Sequence, residues 1–474
     1  MSAANEAIRH NRELNAIENA ARDHLIQPWE GISTLGEDVR TVITGGDGIY
    51  LIDGEGNRLM DGPGGMWCVQ IGYGRQEMAD AVAKQSMSLP YNSPWSSTNS
   101  PAAKLAKRIA GLTPGDLNHV FFTNSGSTAM DSAVRFVHFY NNAKGRKSKK
   151  MVIARDKGYH GSTYLAASIS GKERDKNYFD FATDRVVHIS CPNPYRRPDG
   201  MSVEDFCDAK VKELEDKILE LGPENVGAFV AEPIMASGGL IIPPKGYHAK
   251  TLEVCRKHDV LYISDEVVTA FGRLGEWFAS ETIFGIVPDM ITFAKGVTSG
   301  YQPLGGVAIS DRLLQELNDL DKEDVTYSNG YTYSGHPVCC AAAMTNLDII
   351  EREGILEHVR EVGPYFQKRL KELEDLPIVG EVRGLGLMGC VECVADRHSK
   401  NALELDKEVG SRIDKHTFKR GLIVRPIINM CVMSPVLTIT KAEIDTMVDI
   451  LRAGIEDTMD ELEAEGIWSR DKAA

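Results

Sequence analysis

No stretch of about 18 apolar residues occurs anywhere in the 474-residue chain, so a membrane-spanning helix is not expected. The first residues, MSAANEAIRHNRELNAIENAARDH, are polar throughout and offer no apolar core for a signal peptide. No Lys/Arg cluster offsets the formal net charge of −15, so neither nucleic acid nor an anionic membrane is an expected partner. Low-complexity tracts and internal repeats are absent as well. The nine cysteines are odd in number and scattered, which suits small buried hydrophobes better than a disulfide framework. CVEC (390–393) has no second C-x-x-C, and its strand-like setting points successive side chains to opposite faces. Neither a zinc site nor a redox pair is expected there, and no other cluster has metal-ligand spacing. What remains is an ordinary globular composition, long enough for two domains, with a cytoplasmic location expected.

The chain changes rhythm along its length. IYLIDGEGNRLMD (49–61) reads as a β-hairpin, two short apolar runs around a Gly/Asn turn. Seven apolar runs then follow: HVFFT (119–123), KMVIAR (150–155), RVVHIS (185–190), VGAFVAE (226–232), VLYISDE (260–266), DMITFAKG (289–296) and GGVAIS (305–310). Helix-like segments at 101–111, 127–143 and 203–221 separate several of them. Near-continuous apolar strands alternating with helices predict an α/β fold with a mostly parallel seven-stranded sheet covered on both faces. From 341 onward, helices at 341–353, 357–375, 404–420 and 441–466 mix with short strands at 376–383, 386–393, 421–425 and 431–438. The expected division is therefore an N-terminal segment and hairpin (1–69), a large domain (70–340) and a C-terminal α+β part (341–474). The first and last would form one smaller domain.

Open parallel sheets bind ligands beyond the carboxyl ends of their strands. Those ends carry Asn124-Ser125-Gly126-Ser127, the turn Lys157-Gly158-Tyr159-His160-Gly161, Glu232, Asp265-Glu266 and Lys295. Ser125–Ser127 would expose backbone N–H groups at a positive helix end, a seat for phosphate, or would simply cap the helix. The G-x-x-x-x-G-K-[ST] pattern of a nucleotide P-loop is missing. Asp265, at a buried strand end, needs a cation, either in a structural ion pair or as a protonated ring nitrogen. Lys295 follows a core strand, where a lysine either snorkels or serves as a desolvated, reactive amine able to form a Schiff base. A phosphate seat, an acid for a pyridinium and a Schiff-base lysine together are the requirements of pyridoxal 5′-phosphate (PLP).

AEPIMASGGLIIPPKGY, ISDEVVTAFGRLGEWF, MITFAKGVTSGYQPLGG and GYTYSGHP closely resemble the class III (ω-) aminotransferases of PLP fold type I. MWCVQIGYGR and LIVRPI are most similar to the ω-amino acid/amine:pyruvate branch. The resemblance implies a PLP enzyme that moves an amino group from an amine or ω-amino acid to a keto acid such as pyruvate in a ping-pong cycle. It makes Lys295 the Schiff-base lysine and proton carrier, and Asp265 the partner of the pyridinium. Ser125, Gly126 and Ser127 would hold the phosphate, with Thr332 reaching in from a second subunit. Tyr159 and Val267 would cover the two ring faces, and Glu232 would join the cofactor's hydrogen-bond shell. Trp67 would wall the substrate pocket beside Tyr159 and Trp95, and Arg425 would bind a substrate carboxylate or swing aside. A homodimer or tetramer with shared sites follows.

Two departures from the family pattern stand out. Thr128 and Met130 replace residues that usually make hydrogen bonds after the Gly-Ser, and Trp95-Ser96 stands where relatives often carry two aromatics. The second implies a reshaped donor pocket. Sister reactions stay open: γ-aminobutyrate or ornithine transamination with 2-oxoglutarate, or an intramolecular aminomutase. So does a relative that binds PLP without turnover, against which Lys295 argues. GLGLMG (384–389) matches G-x-G-x-x-G, but strand-like residues follow it instead of a helix, so NAD is not expected. His160 reads as a turn histidine fixed by packing.

Overall fold

A run of four to six apolar residues bounded by turn formers is too short for a stable helix, and it can bury both faces only inside a covered sheet. The computed structural model describes residues 3–37, 40–320, 322, 324–402 and 408–470. The hairpin region forms β1 (Ile43–Asp47), β2 (Tyr50–Asp53) and β3 (Arg58–Asp61). The seven runs form β4 (His119–Thr123), β5 (Met151–Arg155), β6 (Val186–Ile189), β7 (Val226–Ala231), β8 (Leu261–Asp265), β9 (Met290–Phe293) and β10 (Gly305–Ile309). They make one seven-stranded sheet in the order β4-β10-β9-β8-β7-β5-β6. β9, β8, β7, β5 and β6 are parallel, while β10 pairs antiparallel with both β4 and β9. The sheet is the mostly parallel one the sequence predicts.

Alternation along the strands sends the core to two faces. Val152, Ala154, Val230 and Ile263 pack with Ala129, Met130, Ala133 and Val137 of helix Gly126–Ala143. The intervening Ile153, Phe229 and Tyr262 pack with Leu214 and Ile218 of helix Val203–Leu221. Each such aliphatic or aromatic side chain contributes about 1.5–3 kcal/mol by leaving water, which holds the strand ends in fixed register.

The C-terminal part supplies β11 (Val379–Leu385), β12 (Met388–Cys393), β13 (Leu422–Ile423), β14 (Arg425–Ile427) and β15 (Met430–Met433). β13 leaves its neighbours and pairs parallel with β3, Leu422 opposite Met60, so the N-terminal hairpin and the C-terminal region share a sheet. GLGLMG is the turn of the β11–β12 hairpin, with Leu385 opposite Met388. The helix expected at 404–420 runs Val409–Phe418, and 403–407 lie outside the described residues. The segment 357–375 divides into an α-helix (Ile355–Lys371) and a 3₁₀ turn (Glu372–Asp375). Helices Ala3–His24 and Gln76–Ser88 carry no expectation from the sequence, because mostly polar residues blur any apolar stripe along them. The nine cysteines are free. Among the described residues no helix is long and apolar enough to cross a membrane.

Candidate active site

β8 and β9 run side by side, with Asp265 in register with Thr292, so Asp265 and Lys295 emerge at one rim. Asp265 is 5% exposed and fully engaged on the protein side. Its Oδ2 lies 2.7 Å from Nδ1 of His160, and its Oδ1 accepts from the Val267 amide at 3.1 Å. Lys295 takes a left-handed φ of 44°, a conformation that costs a non-glycine residue about 1–3 kcal/mol and persists only where its surroundings enforce it. Asn346 enforces it, donating to the carbonyls of Gly296 (2.9 Å) and Val297 (3.0 Å). Gly296 is also pinned: a Cβ there would sit 2.6 Å from Nε2 of Gln70. The Lys295 amine makes no hydrogen bond or ion pair among the described residues. Burial holds it below the usual lysine range, and the nearby Asp265 charge opposes that only in part.

Beside this pair begins the helix Gly126–Ala143. Ser125 is its N-cap: Oγ accepts from the Thr128 amide at 3.2 Å, and Thr128 Oγ1 accepts from the Ser125 amide at 3.1 Å. Thr128 Oγ1 also donates to Asn124 Oδ1 at 2.9 Å. Thr128, a departure from the family pattern, thus completes a reciprocal capping box, and Met130 is simply core. Gly126 is a close approach: a Cβ there would meet Val267 Cγ1 at 3.0 Å. The Tyr159 loop closes over the same helix end. Gly161 (φ 138°) lies so near Ser127 that a Cβ would fall 2.5 Å from Ser127 Oγ, and Ser127 Oγ accepts from the Ser162 amide at 3.1 Å.

Glu232 fixes the loop from the other side. Its Oε1 accepts from the Tyr159 amide and its Oε2 from the Ala236 amide, both at 3.0 Å. Complete burial raises the pKa of this carboxyl. Trp67 is buried, with Lys295 Nζ 5.9 Å and the Arg425 guanidinium 4.8 Å from its ring. Trp67 Nε1 and Arg425 Nε are both buried without a hydrogen-bond partner among the described residues. Burial lowers the pKa of Arg425. An unpaired indole N–H and an unpaired guanidinium face on one wall form a donor set suited to a carboxylate.

Ser125, Gly126, Ser127, Tyr159, Glu232, Asp265, Val267, Lys295, Trp67 and Arg425 therefore converge within one chain. Trp95 and Thr332 do not join them. Trp95 is 94% exposed, and Thr332 lies on the surface with its carbonyl accepting from Tyr91 Oη at 3.1 Å. His160 is the residue the sequence reading undervalued. Its ring is buried against Asp265, a pairing between positions 105 residues apart that no local pattern announces.

Comparison with known proteins identifies the family and the fold. Residues 33–455 match the family model "Aminotransferase class-III". The chain is 42% identical over 440 residues to the putrescine–pyruvate aminotransferase of Pseudomonas aeruginosa, covering 92% of this chain and 95% of that protein. It superimposes on an (S)-enantioselective ω-transaminase from Thermomicrobium roseum with TM-score 0.90 at 37% identity, covering 94% of this chain and 99% of the other. An ω-transaminase from Pseudomonas jessenii in complex with PMP aligns with TM-score 0.91 at 35% identity, over 94% and 99% of the two chains. The chain belongs to the class III aminotransferases, a family of PLP-dependent enzymes of fold type I.

Proposed function

We propose that this chain binds PLP and transfers an amino group from an amine or ω-amino acid to a keto acid such as pyruvate. The observation that carries the reading is the half-buried Lys295 amine, unpaired among the described residues, beside a protein-held Asp265 carboxylate and near the Trp67 and Arg425 side chains. The residues present suit the cofactor. With the Ser125 amide engaged by Thr128, the helix end would offer the backbone N–H groups of Gly126 and Ser127 to a phosphate, beside the Ser125 and Ser127 hydroxyls. A Cβ at Gly126 would crowd the Val267 methyl groups at 3.0 and 3.1 Å. Tyr159 and Val267 would cover the two ring faces, and Glu232 holds the Tyr159 backbone in place. Bound there, PLP supplies an electron sink for charge developing on the carbon that bears the amino group.

Each protein group then has a defined task. Asp265, oriented by His160 and buried, would hold the protonated ring nitrogen of the cofactor in a setting where such a charge pair is strong. Lys295, its pKa lowered by burial and its Nζ free of any hydrogen bond or ion pair among the described residues, would take a proton from the substrate carbon and return it elsewhere. Arg425 grips the carboxylate of the keto acid in a bidentate contact and yields when the donor lacks one. The curated relative that acts on putrescine and pyruvate supports a donor/acceptor pair of this kind.

We infer further that two copies complete the site. Thr332 and Trp95, both exposed in one chain, lie with Tyr91, Met87 and Tyr333 on surface that a second copy would cover. Absorbance spectroscopy tests the function: adding butylamine to the PLP-loaded protein should convert the cofactor spectrum, and pyruvate should restore it. A spectrum indifferent to every amine and keto acid tried would overturn the reading. Sedimentation tests the assembly, and a fully active monomer would refute it.

A further inference from the structure

The turn that carries Lys295 is strained twice. Lys295 (φ 44°) and Ser299 (φ 50°) both take left-handed backbone, a cost that only the surroundings can sustain. Those surroundings are polar and buried. On one side stands Asn346 of helix Pro337–Arg352, which bonds the Gly296 and Val297 carbonyls and accepts at Oδ1 from Ser299 Oγ at 2.7 Å. On the other stands Gln70, wholly buried, its Nε2 so near Gly296 that a Cβ there would sit 2.6 Å from it. The amides of Gln70 and Ile71 both donate to Ser299 Oγ at 3.3 Å, and the Gln70 carbonyl accepts from the Leu437 amide at 2.9 Å. Gln70 Oε1 accepts from Nη2 of Arg273 at 2.6 Å. Arg273 is wholly buried too, and its Nη1 donates to the carbonyls of Leu387 (3.2 Å) and Pro435. A polar cluster this deep is costly unless its members satisfy one another, and satisfied it is rigid. It fastens the Lys295 turn to the loops at Leu387 and Pro435 without any of its side chains bonding the Lys295 amine.

We propose that Gln70 and Asn346 are positioning residues for Lys295: they grip its turn from two sides, with Arg273 fastening Gln70, and so fix where the amine meets the aldehyde carbon of PLP. There the neutral amine condenses with that carbon, its two hydrogens leaving with the aldehyde oxygen as water. The inference rests on the PLP reading and concerns the linkage to lysine, not the seating of the cofactor. A displaced turn loosens the linkage while Gly126, Ser127 and Asp265, which lie on other elements, stay in place.

The test compares two cofactor forms that differ at that linkage. PLP can join Lys295, whereas PMP, with an amine in place of the aldehyde, cannot. Dissociation constants of both forms from cofactor-free protein give an affinity ratio that requires no turnover. Asn346→Ala and Gln70→Ala should each lower the PLP:PMP affinity ratio by roughly tenfold, the size of one buried hydrogen-bonded contact. Borohydride should also fix less of the bound PLP onto Lys295 in both. Ser299→Gly, which keeps the left-handed backbone free of strain but removes the shared hydroxyl, should lower the ratio by about threefold. Glu266 is the structural control, a buried carboxylate that accepts from the Ala279 and Ser280 amides. Glu266→Gln should lower the melting temperature and leave the ratio unchanged. A wild-type ratio in Asn346→Ala and Gln70→Ala, or an equal drop in Glu266→Gln, would overturn the proposal. If the alanine variants fail to fold, Ser299→Gly decides alone, and a wild-type ratio there overturns it. Failure of wild type to bind either form would count against the PLP reading, whereas the ratio judges the positioning residues.

Discussion

The acids and the bases at the sheet's rim are treated in opposite ways. Asp265 and Glu232 are both buried, and each carboxylate accepts two hydrogen bonds from this chain. Lys295 and Arg425 are half-buried and make no hydrogen bond or ion pair among the described residues, each with its cation near the Trp67 ring. Buried acids without partners would protonate, and the fold prevents part of that with fixed donors. Buried bases without partners are left available: the amine as a nucleophile and proton carrier, the guanidinium as an anion receptor. A site that would receive a phosphate, a carbonyl and a carboxylate suits this asymmetry, because each of those groups seeks a cation or an N–H, and only a protonated ring nitrogen would seek the acid.

The most severe way to break the contrast is to delete the amine. Lys295→Ala should lower transamination by at least about 10³-fold, since both the covalent anchor and the proton carrier go. The fold should persist and PLP should still bind through the phosphate seat and Asp265, without the absorbance of lysine-linked cofactor. Substantial turnover without added amine would remove Lys295 from its role.

Next comes the acid side, where the adjacent Glu266 provides a control. Glu266 is wholly buried and accepts from the Ala279 and Ser280 amides and from the hydroxyls of Ser280 and Thr269. Its role is to cap a turn. Asp265→Asn should cost roughly 10²–10³-fold in kcat with little change in melting temperature, because an amide cannot hold the pyridinium proton. Glu266→Gln should instead destabilise the fold by about 2–4 kcal/mol, as its NH₂ faces donors it cannot satisfy. Kinetics and thermal melts of the two variants separate the roles. If both variants show the same profile, the distinction between catalytic and structural acid fails.

Arg425→Ala sharpens the contrast on the base side. The half-reaction with pyruvate should weaken by about 2–4 kcal/mol, the cost of losing a charged hydrogen-bonded pair. The half-reaction with a carboxylate-free amine should change much less. Single-turnover absorbance of each half-reaction decides, and an equal loss in both would mean that Arg425 supports the wall rather than reading the substrate.

The strands were legible because burial on both faces leaves an unbroken apolar run, and the rim chemistry followed from reading only where those runs stop. β8 lies within a residue of the run that announced it at each end, while β9 stops at Phe293, three residues before its run ends. Long-range pairing left no such trace. His160, after β5, meets Asp265, at the end of β8, across the seven-stranded sheet, and Trp67 meets Arg425 between the two ends of the chain. Trp95 shows the converse. The family resemblance placed it in the pocket, yet within one chain it stands in solvent.

The smallest effect tests the unpaired state of Lys295 directly, through stability instead of activity. Burial lowers its pKa in the folded protein below the unfolded value near 10.4. Between those two values the unfolded chain holds a proton that the folded chain does not, so this group makes stability rise with pH across that window. Below the window the amine is charged in both states and the full desolvation penalty weighs on the fold. Lys295→Met removes the penalty at every pH. In cofactor-free protein the variant's stability advantage should therefore be greatest at low pH and shrink as pH rises toward the unfolded value. The slope cannot exceed about 1.4 kcal/mol per pH unit, the limit for one proton. Urea melts of both proteins over about pH 6–10 would measure it. Parallel curves would mean that the amine finds a partner in the cofactor-free protein, and the contrast between satisfied acids and unsatisfied bases would hold for Arg425 alone.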